Sequence, residues 1–467
     1  MSHWNPRRTQ MKLPPELTIN PLFTREGEQN VPRFHIRDQG MLPETAYQII
    51  HDELALDGNA RLNLATFVGT WMEPAADLLY AETFDKNIID KDEYPQTAAI
   101  EERCIRILAN LWHSPHPMST VGVSTTGSSE GCMLGGIALK RRWQHARKKQ
   151  GKPIDRPNIV FSSAVHVVWE KFANYWDVEP RYVNITKERP YLDPKGVRDA
   201  VDENTIGVIA ILGVTYTGIY EPVAEIAKAL DDLQARTGLD IPMHVDAASG
   251  GFIAPFLQPD LVWDFRLPRV KSINVSGHKY GLVYPGIGWV IWRKAKDFPD
   301  DLVFRVSYLG GNMPTFGLNF SRPGAQVLLQ YYNFLRLGRE GYYQVQRTCQ
   351  SVAKLLSREI SKMGPFKILT SGTDTPVITW QMKTDYTSKW NLYDLSRQLR
   401  TYGWQVPAYS MPPDLEDITV MRVVVRNGFS IDLAHLFLLN LEQAVTFLDS
   451  SPTTTPHGSK TDNGFHH

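Results

Sequence analysis

MHVDAASGGFIAPFLQPDLVWDFRLPRVKSINVSGHKYG, residues 243–281, decides how this chain is read. It opens on a short apolar run that ends in Asp246. It closes on a second run, 273–275, followed by Ser276-Gly277-His278-Lys279-Tyr280-Gly281. The 33 residues from Asp246 to Lys279 leave room for one crossover and the next strand. The same pattern extends outward. Strands are expected over 158–162, 207–213, 243–246, 272–276 and 287–292, with helices over 130–149 and 223–236 between them. Near-continuous apolar strands alternating with helices imply an α/β fold with a large, mostly parallel sheet covered on both faces.

Two helical stretches between 326 and 362 precede a shift in composition. Beyond it, strands over 377–381 and 419–425 and a helix over 433–448 read as a smaller α+β C-terminal domain. The expected divisions are an N-terminal arm or segment (1–60), a large domain (61–350), a small domain (351–449) and a Ser/Thr/Pro/Gly-rich tail (450–467). The arm carries Arg7, Arg8 and Lys12, and two uses stay open for it: a solvated end, or packing on another subunit.

Composition narrows the function. Lys+Arg and Asp+Glu both number 50, and no basic stripe is present, which argues against a nucleic-acid partner. The longest apolar run, 206–214, is too short to span a bilayer, and the N-terminus lacks the apolar stretch of a signal peptide. The cysteines Cys104, Cys132 and Cys349 form no CxxC pair, so neither a disulfide framework nor a metal site is expected, and a cytoplasmic location fits best.

Three motifs carry chemistry. A lysine at a strand end, flanked by Gly and Ser, lies where α/β proteins place ligands, and Lys279 can form an imine with an aldehyde cofactor. His278 and Ser276 beside it can donate to a phosphate. Asp246, at the end of a buried strand, needs a cationic partner, and a protonated pyridine nitrogen is one. Ala248 is small enough to lie against such a ring; a helix N-cap aspartate is the competing reading. Thr126-Gly127-Ser128-Ser129-Glu130-Gly131 opens a long helix, where backbone N–H groups and the hydroxyls of Ser128 and Ser129 favour an anion. A plain serine cap would look much the same.

These motifs belong to longer blocks. SGHKYG, HVDAASGGF, TTGSSEGCMLGG, GVTYTG, DKDEYPQ, WDFRLPRVKS and LNFSRPGAQ resemble the bacterial and plant glutamate decarboxylases over about residues 45–450. The resemblance implies a fold-type I enzyme that uses pyridoxal 5'-phosphate (PLP) to convert L-glutamate to 4-aminobutyrate and CO2. It also implies a homodimer unit with sites at the subunit interface, a hexamer built as a trimer of dimers staying open. Residue by residue it gives Lys279 as the cofactor lysine, Asp246 as partner of the ring nitrogen, and Ala248 on one ring face. Thr215 falls near the reacting centre, and Ser128, Ser129, Ser276 and His278 at the phosphate. Ser321 reaches the phosphate from the neighbouring subunit, with Phe320 lining the same cleft. Thr66, Phe67, Asn87 and Asp90 fall in the pocket for the substrate side chain, where Asp90 is out of place beside an anion unless it orients donors or is protonated. Arg422 pairs with the α-carboxylate, as a planar fork suits.

The chain departs from the family at His166, where bacterial and plant members usually carry Gln against the ring. A neutral stacking ring and a proton-handling imidazole are both open. Glu170 takes no assigned role. His466 and His467 end the chain; a plug that closes the site near neutral pH competes with a simple solvated end. The tail has one Lys and no Trp, so calmodulin control is not expected. A PLP-dependent decarboxylase or lyase of another amino acid is the alternative activity.

Overall fold

The structure, a computed structural model, describes residues 34–307 and 313–451. The basic arm and the terminal histidines lie outside the described residues. The chain divides into two units, Met1–Asn59 and Ala60–His467. The described part of the first holds the helix Pro43–Leu54, entered through a proline at its first turn.

The second unit is built on a seven-stranded sheet: β1 (Gly122–Thr125), β2 (Asn158–Ser162), β3 (Glu179–Val183), β4 (Thr205–Ile211), β5 (Met243–Asp246), β6 (Val270–Ser276) and β7 (Gly288–Trp292). Their order is β1-β7-β6-β5-β4-β2-β3, and β7 runs antiparallel to both of its neighbours. The expected fold class is therefore observed. Alternate residues of β4 feed opposite faces. Val208 and Ala210 join the core that includes Val245 and Ile273, while Ile209 and Ile211 join the one that includes Ile159 and Phe161. Each fully buried aliphatic side chain contributes roughly 1.5–3 kcal/mol, so this sheet is the mechanical base of the molecule.

Strand limits moved where backbone conformation overrides apolarity. The run expected over 207–213 is paired two residues earlier, because Gly213 takes φ 108° and leaves the ladder. β1 and β3 were not foreseen: β1 is four residues long, and β3 is an exposed edge strand that tolerates Pro180.

A second sheet is antiparallel: β10 (Phe366–Ser371), β11 (Val377–Met382), β12 (Ala408–Ser410) and β13 (Thr419–Val424), in the order β10-β11-β13-β12. A small hairpin, β8 (Phe304–Val306) with β9 (Met313–Thr315), precedes it in the chain. The helical span Ala325–Lys362 links the two sheets and breaks at Gly338, where φ is 57° and ψ −168°. Its first half packs Val327 and Leu329 into the large core, and its second half packs Val352, Leu356 and Ile360 against the small sheet. The last helix, Ile431–Ser450, is long and apolar enough to cross a membrane by length and composition, yet Phe437 and Leu441 are wholly buried in the small core.

Candidate active site

Parallel strands end together, and the carboxyl ends of β5 and β6 set the site. Asp246 is the last residue of β5 and is 4 % exposed. Its Oδ1 accepts from the Ala248 N–H (3.2 Å) and the Asn274 amide (3.0 Å), its Oδ2 from the Trp169 indole (2.9 Å) and the Cys132 thiol (3.4 Å). Burial alone would push this carboxyl up. The Trp169 donor, the nearby His244 and the Asn274 amide outweigh it and hold Asp246 below the usual carboxylate range.

Lys279 stands in the turn that leaves β6, and its Nζ lies 5.0 Å from the centre of the Phe67 ring. Burial lowers its pKa, opposed by the charge of Asp246, so the amine is shifted toward its nucleophilic neutral form. Beside it, His278 Nδ1 accepts from the Ile287 N–H at 3.3 Å, and burial, then Lys279, pushes its pKa down to about 4. Ser128 and Ser276 share a hydroxyl hydrogen bond of 2.7 Å. The helix Ser128–Lys149 is capped by Gly127, not by a serine, so the serine-cap reading fails and both hydroxyls stay near the helix start. A Cβ at residue 127 would lie 3.0 Å from the His278 ring. Ser128, Ser276 and His278 thus gather at one helix N-terminus, with the exposed Ser129 next along the chain.

The opposite wall comes from the small sheet. Arg422, on β13, donates through Nη1 to the Thr215 carbonyl and through Nη2 to the Ala65 carbonyl (2.7 Å), while its buried Nε has no hydrogen-bond partner among the described residues. Its guanidinium lies 5.0 Å from the same Phe67 ring and 5.6 Å from that of Tyr409. Phe67 therefore contacts the cofactor-lysine candidate and the carboxylate-binding candidate at once. Thr66 beside it is exposed. Arg426 fixes this segment by donating to the carbonyls of Val68, Ala60 and Asn63.

His166 is half-buried at the cap of the helix Val167–Tyr175, with Nδ1 accepting from the Val168 N–H at 3.2 Å. That bond puts the proton of the neutral ring on Nε2. Burial lowers the pKa of His166, with Asp246 opposing. Glu170, one turn on, accepts from the Tyr182 hydroxyl at 3.2 Å.

A second cluster forms elsewhere. Asn87 donates to Ser321 at 3.3 Å and accepts from the Arg322 N–H at 3.1 Å; the Asp90 N–H bonds the Asn87 carbonyl. Phe320, next to Ser321, is 38 % exposed. Among the described residues, no hydrogen bond, ion pair or ring contact joins Asn87, Asp90 or Ser321 to Lys279 or Arg422. Glu130 anchors this segment to the helix start, accepting from Leu318 N–H (3.1 Å) and Thr126 N–H (2.8 Å).

A sequence profile described as the pyridoxal-dependent decarboxylase conserved domain matches residues 37–383. The chain belongs to the pyridoxal-dependent decarboxylase family. Among its relatives, a glutamate decarboxylase of Aliivibrio fischeri is 53% identical over 94% of this chain and 94% of its own length. One from Solanum lycopersicum is 51% identical over 93% of this chain and 86% of its own. The solved glutamate decarboxylase of Lactobacillus brevis superposes with a TM-score of 0.88 at 45% identity, covering 91% of this chain and 97% of that one.

The site residues fit the family's cofactor. The Asp246 carboxylate is buried and held in its ionised form with no cation bonded to it among the described residues, its charge acts on the Lys279 amine, and hydroxyls meet at a helix N-terminus. Sequence reasoning missed the groups around Asp246, namely Trp169, Cys132, His244 and Asn274, and the anchor Arg426. A signal was present. Ser272, Asn274 and Ser276 alternate along β6, and His244 and Asp246 along β5: a polar row in otherwise apolar strands.

Proposed function

We propose that this chain decarboxylates L-glutamate at the α-carbon, giving 4-aminobutyrate and CO2 with uptake of one proton. The observation that carries this reading is the Phe67 ring, placed 5.0 Å from both the Lys279 amine and the Arg422 guanidinium. Covalent chemistry and carboxylate recognition then share one cleft. The glutamate specificity rests on relatives named glutamate decarboxylase at about half identity over nearly the whole chain.

Lys279 would hold PLP covalently, with Asp246 facing its ring nitrogen, Ala248 on one ring face, and Ser128, Ser129, Ser276 and His278 at its phosphate. Bound there, PLP supplies an electron sink for the bond that breaks. Arg422 orients the α-carboxylate, its Nε offering the donor that the described residues leave unpaired. Thr215, whose carbonyl Arg422 binds, borders the same cleft. His166 acts as a neutral stacking ring, because protonating Nδ1 would break its bond to Val168.

Ser321, Phe320, Asn87 and Asp90 form a cluster of their own. In this reading they complete the site of a second copy in a homodimer, where Asn87 and Asp90, with Thr66, meet the substrate side chain. Three free, buried cysteines suit a reducing cytoplasm.

The test is a product assay of the purified protein with PLP and L-glutamate, aspartate or aromatic amino acids. Release of CO2 and 4-aminobutyrate from glutamate alone is expected. Turnover of another amino acid in preference to glutamate would replace the substrate, and no turnover of any would reject the activity.

A further inference from the structure

Behind Asp246 lies a row of polar groups that the reaction itself does not use. The parallel register of β5 and β6 sets His244 opposite Ser272 and Asp246 opposite Asn274. All of them are buried: His244 and Asn274 are 0 % exposed, Ser272 1 %. His244 Nδ1 lies 2.7 Å from the Ser272 hydroxyl, and its Nε2 lies 2.6 Å from Asn274 Oδ1. The Asn274 amide then donates to Asp246 at 3.0 Å.

The direction of this chain follows from its end. An ionised carboxylate only accepts, so Asn274 must turn its NH2 toward Asp246 and its carbonyl toward His244. His244 must therefore carry its proton on Nε2 and accept from Ser272 at Nδ1. Burial, which pushes the His244 pKa down to about 4, keeps the ring neutral and fits that single tautomer. The ring is also confined. It packs edge-on against Trp169, centroids 5.1 Å apart, and a Cβ at Gly135 would lie only 2.6 Å from it. Trp169 in turn holds Asp246 Oδ2 at 2.9 Å and can only donate. Both carboxylate oxygens are thus gripped from inside the sheet, which fixes the plane of the group.

We propose that Ser272, His244, Asn274 and Trp169 are positioning residues that fix the Asp246 carboxylate and so set how strongly the protein holds the nitrogen of a pyridine-type cofactor. This rests on the reading of Asp246 as the ring-nitrogen partner, and the experiment separates the two. PLP and its analogue with C–H in place of the ring nitrogen are each loaded onto the intact protein, and their release is followed by absorbance. The proteins compared are the wild type, Trp169→Phe, His244→Leu and His244→Gln. Phe keeps an aromatic ring but removes the indole donor, and Gln keeps a donor for Asn274.

The wild type should hold PLP more tightly than the analogue. Trp169→Phe should weaken PLP about 10-fold, the size of a lost hydrogen bond to a charged group; His244→Leu, which acts through Asn274, should weaken it by a smaller factor, about 3-fold, and both should leave the analogue unchanged. His244→Gln should recover part of the loss. If the wild type holds both compounds equally, the Asp246 reading fails. If the wild type discriminates and the variants discriminate equally well, Asp246 stands and the positioning proposal is overturned. Should His244→Leu not fold, Trp169→Phe alone decides between these outcomes, since it keeps an apolar aromatic ring in the core.

Discussion

Replacing Arg422 with lysine keeps the charge and removes the fork. The guanidinium now spans two chain segments, binding the Thr215 carbonyl after β4 and the Ala65 carbonyl before Phe67, with Nε left over. A lysine ammonium is a single point that cannot reach both carbonyls and still present a donor to a substrate carboxylate. At least one charge-assisted bond is lost, worth about 1.5–3 kcal/mol. Since 1.4 kcal/mol is about tenfold, Arg422→Lys should lower kcat/KM for L-glutamate by roughly 10- to 100-fold, mostly through KM, with PLP still bound through Lys279. The assay is steady-state CO2 release over a range of glutamate concentrations, beside a cofactor absorbance spectrum. An unchanged KM with normal cofactor content would refute the assignment of Arg422 to the substrate carboxylate.

Other outcomes follow from the same geometry. Lys279→Ala should abolish turnover and leave a protein on which borohydride no longer fixes the cofactor; near-normal activity would sink the role of this lysine. Gly288→Ala would place a Cβ 2.6 Å from the Gly127 backbone, so urea unfolding should show a loss of about 1–3 kcal/mol from overpacking, and an unaltered midpoint would disprove that close approach. The pH dependence of stability should hide two opposed slopes. Burial raises the Glu221 carboxyl from 4.5 to about 7, so the folded state binds the extra proton and stability falls as pH rises through that window, by about 3 kcal/mol in all. Burial lowers His244 from 6.5 to about 4, so the unfolded state binds the extra proton and stability rises with pH there, again by about 3 kcal/mol. Between pH 4.5 and 6.5 the two offset one another. Glu221→Gln should leave a curve that rises with pH and His244→Asn one that falls, and parallel curves for the two variants would contradict the assignment.

Much of the fold was legible because most strand interiors here are rich in apolar residues. β2 and β5 begin and end where the composition changes. β1 and β3 were not legible: a four-residue strand gives too short a pattern, and an exposed edge strand with a proline lacks the apolar signal. Two helical stretches were legible between 326 and 362, and the structure puts the break between them at Gly338, since glycine readily takes positive φ.

The site divides the same way. By itself the sequence determined the chemical inventory: a lysine and an aspartate at successive strand ends, small hydroxyl residues at a helix start, and blocks that resemble one decarboxylase family. Local spacing suffices there, because each motif sits on one strand or one turn. Only the tertiary structure decided that Arg422, from a different sheet, shares the Phe67 ring with Lys279, and that Asn87 and Ser321 bond to each other away from it. Tertiary structure alone also decided that Asp246 is held from behind by Trp169 and Asn274. These pairings join residues far apart in sequence, brought together by sheet register and by packing between the two sheets. No local pattern encodes such distances; they exist only once the apolar cores on either side of β4 and under β13 have closed.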